Sequence, residues 1–260
     1  LTHDVDRLRG YHRPLEPARW AIGDLLKRGS PGQAWRRLYT GYLAGEPWQS
    51  FRELMAAAEQ VGRPGRFYFI GPSALSMDSP YALTMRTLLK KVCDEIVARG
   101  HVVGFHPGFA SATDAAEWRR QRDGLEEVIG RPVREGRQHV LQYDAAVTPE
   151  IWDQCGMAVD CTLAFPEASG FRAGTCRPHR AYSLRNRKGL SLTQIPTAVM
   201  DFSFFGGKYR QASLEDALKE CAMVADACKR YGGTLVVLYH TGQADPAMKI
   251  FYRSMLEMIQ

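Results

Sequence analysis

Apolar residues along the 260-residue chain fall into two periods. Compact runs rich in apolar residues at 66–70, 101–106, 159–164, 192–200 and 234–240 fit strands, and Leu1–Val5 reads as a short strand opening the chain. Between them, apolar residues recur every three or four positions, the spacing of an amphipathic helix. This predicts helices over 16–28, 33–44, 49–61, 81–99, 113–129, 148–154, 213–231 and 248–259. The helix at 81–99 has the plainest pattern. Leu83, Leu88, Leu89, Val92, Ile96 and Val97 share one stripe, and Gly100 ends it. Thr113 is the expected cap of the following helix, with Glu117 one place beyond the capping-box position and Gly130 closing it. Residues 137–141 are a further strand candidate, and 29–32, 62–65, 71–80 and 166–191 read as loops. Strands alternating with helices predict an α/β fold of parallel strands, as a barrel or a doubly wound sheet.

Composition adds limits. A chain of this length buries enough surface to fold without disulfides or a structural metal. The six cysteines form no C-x-x-C pair, so buried thiols and a reducing, cytoplasmic compartment are expected. No apolar run reaches the length of a membrane span. The chain opens on Leu1 rather than Met, consistent with removal of a leader or an upstream domain. Lys and Arg exceed Asp and Glu by 34 to 28, which weakly favours an anionic partner such as an acidic or phosphate-linked glycan. No nucleic-acid-binding motif is present, and no nucleic-acid partner is expected.

In a parallel α/β fold, ligands collect where strands end. The first strand ends in Thr2-His3-Asp4-Val5-Asp6, the one at 101–106 in His106, and the one at 234–240 in His240. Arg137 and His139 stand at the start of the candidate strand at 137–141. Carboxylates two residues apart on a strand point to the same face. One can bind a divalent metal while the other acts as a base, and a histidine from another strand extends an N/O donor set suited to Zn²⁺ and related ions. A histidine on the opposite side can protonate a leaving amine. These parts suit hydrolysis of an amide or ester.

The same residues resemble the motifs of the NodB-homology polysaccharide deacetylases, carbohydrate esterase family 4. Leu1-Thr-His-Asp-Val-Asp6 is similar to the first motif in the branch that carries D-x-D. Gly100-His-Val-Val-Gly-Phe-His106 resembles the second, and Leu125-Glu-Glu-Val-Ile-Gly130 followed by Arg137 resembles the third. Val159-Asp-Cys-Thr162 and Leu238-Tyr-His240 are similar to the last two. The resemblance implies a deformed (β/α) barrel of about seven parallel strands. It implies a single domain over 1–260 with a helical insertion at about 7–62 that covers the site or binds a partner. It also implies Asp4 as general base, salt-bridged to Arg137, and His240 as general acid, oriented by Asp160 or Asp201. Asp6 and His106 are the implied ligands of one divalent metal, Zn first, with Co, Ni or Mn as alternatives. Leu238 is the implied wall of the acyl pocket. The implied activity is removal of an N-acetyl or other N-acyl group from an amino sugar of a bacterial polysaccharide or its lipid-linked precursor.

One position departs from the pattern. The second motif ordinarily supplies two histidines, and here Ala110 stands in place of the second. His139 is the first choice for the missing ligand. His3 is an alternative if the first strand bends. A metal-free, allantoinase-like hydrolase of cyclic amides is another alternative, and an inactive glycan-binding member a third. His101 reads as structural, and His12 and His179 as exposed. Arg172, between glycines in Gly170-Phe-Arg-Ala-Gly174, is an alternative for the arginine of the third motif or a candidate clamp for a carboxylate or phosphate. Tyr143, Trp48 and Phe165 are candidates for stacking on sugar rings, whereas Trp118 and Trp152 fit the core.

Overall fold

The computed structural model describes residues 1–8, 15–39, 48–205, 209–241 and 246–259. Its first strand, β1 (Thr2–Val5), lies between β2 (Arg66–Ile70) and β9 (Val237–His240), parallel to both. Beyond β2 come β3 (Val102–His106), β4 (Glu135–Gly136), β5 (Val159–Asp160) and β7 (Lys188–Gln194). Beyond β9 comes β8 (Val199–Met200). All of these pairings are parallel. The exception is β6 (His179–Ser183), which folds back antiparallel on β7 inside the stretch expected to be a loop.

The expected strand at 192–200 is two strands. Residues 195–198 carry the chain from β7 straight to β8. Ile195 N donates to Asp160 O at 3.0 Å, Thr197 N to Leu163 O at 3.0 Å, and Ala198 N to Val236 O at 3.0 Å. One stretch thus bonds first to the β5 side and then to the β9 side, and the sheet curls into a deformed barrel. Eight strands run parallel among the described residues, one more than expected.

The described residues also form ten α-helices. They are α1 (Glu16–Arg28), α2 (Pro31–Leu38), α3 (Trp48–Gln60), α4 (Tyr81–Thr84), α5 (Arg86–Ala98) and α6 (Ala115–Ile129). Further along come α7 (Thr148–Gln154), α8 (Asp201–Phe205), α9 (Leu214–Tyr231) and α10 (Pro246–Ile259). The expected helix at 81–99 is broken at Met85, whose φ of −130° and ψ of 37° are not helical. Just before the break, the Tyr81 hydroxyl accepts from Ile70 N at 2.5 Å and donates to Val5 O at 2.7 Å, tying α4 to the ends of β1 and β2. The cap of α6 is Asp114, not Thr113. Its Oδ1 accepts from Ala116 N at 2.9 Å and Glu117 N at 3.0 Å, which puts Glu117 at the capping-box position.

The core lies between sheet and helices. β2 is apolar on both faces, as befits a strand covered on both sides. Trp118 and Trp152 are fully buried, with ring centroids 5.5 Å apart. The six cysteines are free and buried. Residues 9–14, which include His12, and 40–47 fall outside the described residues, as does the side chain of Trp48. No helix among the described residues is long and apolar enough to cross a membrane.

Candidate active site

β1 builds the site by alternation. Thr2 and Asp4 face the barrel interior, and Asp6 continues that side just past the strand. His3 faces outward: its ring stacks on Phe67 at 4.4 Å, its Nδ1 donates to Arg66 O at 3.2 Å, and its Nε2 accepts from the Tyr252 hydroxyl at 2.8 Å. It is a core histidine and supplies nothing to the site. Register sets Asp4 opposite His240 on β9 and Tyr68 on β2, while Ile70 pairs His106 on β3. Strand pairing alone therefore brings residues 4, 106 and 240 to one rim.

Arg137 is fully buried beneath Asp4. Its Nη1 donates to Asp4 Oδ1 at 2.7 Å. Its Nη2 donates to the hydroxyls of Thr2 (2.8 Å) and Thr197 (2.7 Å), and its Nε to Cys161 O at 3.0 Å. The guanidinium lies 5.4 Å from the Tyr68 ring centroid. Room for that ring comes from Gly104, where a Cβ would sit 2.6 Å from Tyr68 Cδ1. Such a set of donors matches the fixed fork of arginine, and a lysine could not reproduce it.

The other oxygen of Asp4 faces His106 Nε2 at 3.7 Å. His106 Nδ1 donates to Arg137 O at 2.5 Å, which fixes the proton on Nδ1 and leaves the Nε2 lone pair pointing inward. His139 is oriented in the same way. Its Nδ1 donates to Asp78 Oδ1 at 2.7 Å, and Asp78 is itself held by Ser73 Oγ at 2.7 Å and Phe109 N at 2.9 Å. Asp6 Oδ1 is buried and makes no hydrogen bond. It lies 3.5 Å from His106 Nε2 and 3.8 Å from His139 Nε2. Asp6, His106 and His139 each offer one ligand atom, and these atoms lie within 4.8 Å of one another. Ala110 is exposed, on a 3-10 turn over Phe109–Ala112.

The predicted strand at 137–141 is absent. β4 ends at Gly136, where a Cβ would meet Phe105 O at 1.8 Å. The chain then leaves the sheet, because Arg137 turns inward to Asp4 while His139 turns to Asp78. The exit is a tight turn in which Val140 (φ 49°) and Leu141 (φ 56°) are left-handed. That region is unfavourable for a β-branched valine, so the backbone stores strain beside His139.

Across the rim stands His240. Its Nδ1 donates to Asp201 Oδ1 at 2.6 Å, and its backbone N donates to Asp201 Oδ2 at 2.8 Å. Of the two carboxylates considered for this partner, Asp201 holds it. Asp160 is bonded to Thr162 N at 2.8 Å instead. Burial works against a charged His240, but the Asp201 carboxylate, with Asp6 and Asp4 behind it, raises its pKa to about 9. For Asp6, burial disfavours charge. The close His106 ring and the His240 and His139 charges outweigh this and hold the carboxyl below its usual range. For His106, burial is outweighed by Asp4 and Asp6, and its pKa is raised.

Leu238 is buried in a small apolar cluster with Leu141, Ala164 and Met200, separate from the main core. Phe202 packs on that cluster, and its ring centroid is 4.4 Å from that of His240. Arg172 is exposed, its Nη1 donating to Ala164 O at 3.2 Å. Tyr143 is half-buried, its hydroxyl accepting from Gln194 Nε2 at 2.5 Å. Phe165 is at the surface and Trp118 and Trp152 are in the core. His101 is a buried structural residue: it accepts from Gly65 N at 2.9 Å and pairs with Glu59. His179 is partly buried on β6. Sequence reasoning missed Asp78, Ser73 and Thr197. Thr2 carried a signal, since it stands two residues before Asp4 and so shares its face.

The curled parallel sheet is similar in fold to a solved structure named as a polysaccharide deacetylase. The chain is similar to a protein from Mycobacterium smegmatis named as a putative polysaccharide deacetylase, with 17% identity and a TM-score of 0.60 over 100% of this chain and 82% of that chain. It is also similar to a family 4 carbohydrate esterase from Streptomyces lividans in complex with acetate (12% identity, TM-score 0.44, 81% of each chain). A third similar structure is a family 4 pseudoenzyme from Bacillus anthracis (11% identity, TM-score 0.45, 81% of this chain and 56% of that chain). No family model and no curated protein matches the chain.

Proposed function

We propose that the chain is a metal-dependent deacylase that hydrolyses the N-acetyl, or another N-acyl, group of an amino sugar in a polysaccharide or its lipid-linked precursor. In this reading residues 1–260 act as one catalytic domain with a D-x-D first motif, and the helices between 7 and 62 are an insertion. The observation that carries the reading is the arrangement around Asp6. Asp4, held by Arg137, stands two residues before it on the same face, and His240, held by Asp201, pairs with Asp4 on the neighbouring strand.

Asp6, His106 and His139 would hold the ion. An orphaned buried carboxylate oxygen and two imidazoles with inward lone pairs fit a divalent cation, with Zn²⁺ first and Co²⁺, Ni²⁺ or Mn²⁺ as alternatives. When bound, such an ion supplies Lewis-acid polarisation of an acyl carbonyl and acidifies a water molecule.

Asp4 is the proposed general base. Arg137 occupies its Oδ1, which leaves Oδ2 to take a proton from the attacking water. The water oxygen bonds to the acyl carbon. As the carbon–nitrogen bond then breaks, His240 Nε2 delivers its proton to the departing amine. Asp201 keeps that imidazole charged and aimed. Leu238 and its apolar neighbours are the proposed seat of the acyl methyl. Arg172 reaches Ala164 of this cluster, and Arg172 and Tyr143 are the proposed contacts of an acidic or phosphate group and of a sugar ring. The metal-free alternative rested on the absent second histidine, and the position of His139 beside Asp6 favours the metal-dependent reading over it.

The test is acetate release from N-acetylated glycans by metal-stripped protein before and after divalent ions are restored. Activity is expected only with metal, and Asp4→Asn should lower it by at least ~10². Metal-independent turnover, or biological function retained by Asp4→Asn, would overturn the reading.

A further inference from the structure

Helices α1 and α2 are built inside out. Their buried described residues are small or polar: Pro17, Ala21, Asp24 and Ala34. Large apolar side chains on them face outward, with Leu26 81% exposed, Trp35 65%, and Ile22 and Leu25 about half exposed, and so do the flanking Leu15 (77%) and Tyr39 (51%). At 100° per residue, Leu15, Ile22 and Leu26 form one stripe on the far side of α1 from Ala21 and Asp24. A helix whose only task was to cover the barrel would point those side chains the other way.

Cations accompany the apolar surface. Arg19 and Lys27 are exposed on α1. Residues 15–39 carry five Lys and Arg against two Asp and Glu, so three of the chain's six net positive charges lie in this short segment. Trp35 and Tyr39 add the amphipathic rings that settle at headgroup depth. The surface also adjoins the rim. The Arg7 guanidinium, one residue past Asp6, lies 5.9 Å from the Trp20 ring centroid.

We propose that the α1–α2 hairpin docks on the surface of an anionic phospholipid bilayer, with its apolar stripe in the acyl boundary and its cations against the headgroup phosphates. Leucine and isoleucine flanked by Arg, Lys and Trp suit an interfacial helix. A self-association face would not need the excess of one sign of charge, which repels across a twofold. The proposal stands independently of the deacylase reading, because docking requires none of Asp4, Asp6 or His240.

Sedimentation with vesicles of phosphatidylcholine, alone or mixed with phosphatidylglycerol, tests it. The full chain is expected to bind the mixed vesicles and to be released by high salt. Ile22→Ser with Leu26→Ser should weaken binding at least ~10-fold, and Arg19→Glu with Lys27→Glu should weaken it ~30-fold or more. All four positions are exposed, so thermal melts should be unchanged. Failure to bind the mixed vesicles at low salt overturns the proposal. So does binding that is indifferent to both double variants, or a dimer in analytical ultracentrifugation that Ile22→Ser with Leu26→Ser dissolves.

Discussion

His139 and Asp78, 61 residues apart, meet through a 2.7 Å hydrogen bond from Nδ1 to Oδ1. The pair turns His139 Nε2 towards Asp6, on the side where the sequence offers only alanine at 110. Asp78 is fixed in turn by Ser73 and the Phe109 amide. Outer partners of this kind set both the tautomer and the direction of a ligating imidazole. Asp78→Ala is therefore expected to lower zinc affinity ~10–100-fold, measured by competition with a chelator. Equal affinities in the two proteins would show that His139 needs no orientation or binds no metal.

Two histidines near the first motif make a sharper comparison. His139→Ala should abolish retention of a divalent ion in elemental analysis. His3→Phe should leave it intact, because His3 is stacked on Phe67 outside the barrel. The second change leaves the Tyr252 hydroxyl without its partner, at a cost of about 1–3 kcal/mol in denaturant unfolding.

The Arg137–Asp4 pair is wholly enclosed. Arg137→Ala leaves a carboxylate in the barrel without its counter-charge, and about 3–5 kcal/mol of stability should be lost. Arg137→Lys keeps the charge but cannot reach Thr2, Thr197 and Cys161 at once, so it should recover only part of that loss. Urea titrations of the three proteins check the order.

His240 carries the pH dependence. Against the opposition of burial, the Asp201 carboxylate raises its pKa to about 9, above the ~6.5 of an unfolded histidine. The native state then holds the extra proton between those values. This contribution to stability is complete below about 6.5 and is lost as pH rises through about 9. Activity that needs a protonated His240 should fall over the same alkaline limb. Asp201→Asn removes the carboxylate charge, and the limb of kcat/KM against pH should move to lower pH. A limb that stays in place would assign it to another group.

Most of the framework was readable in the chain. The strand at 66–70 and the helices at 16–28, 148–154 and 213–231 stand within a residue of where periodicity puts them, because each has one apolar face or run and a clear stop. The spacing of Asp4 and Asp6 disclosed a shared face for the same reason. The misses have local causes. The 137–141 stretch reads as a strand candidate, yet Arg137 and His139 have distant partners, Asp4 and Asp78, that draw the chain out of the sheet. The β6–β7 hairpin is polar on its exposed face, so 166–191 lacked an apolar signature.

By itself, then, the order of residues determined the elements and the side chains able to do chemistry at their ends, since both depend on neighbours a few positions away. Tertiary structure alone decided which of them meet. Asp201 rather than Asp160 holds His240, Asp78 turns His139 inward, and Thr197 completes the cradle of Arg137. These partners lie tens of residues apart, and only the curling of the sheet brings them within the length of a hydrogen bond.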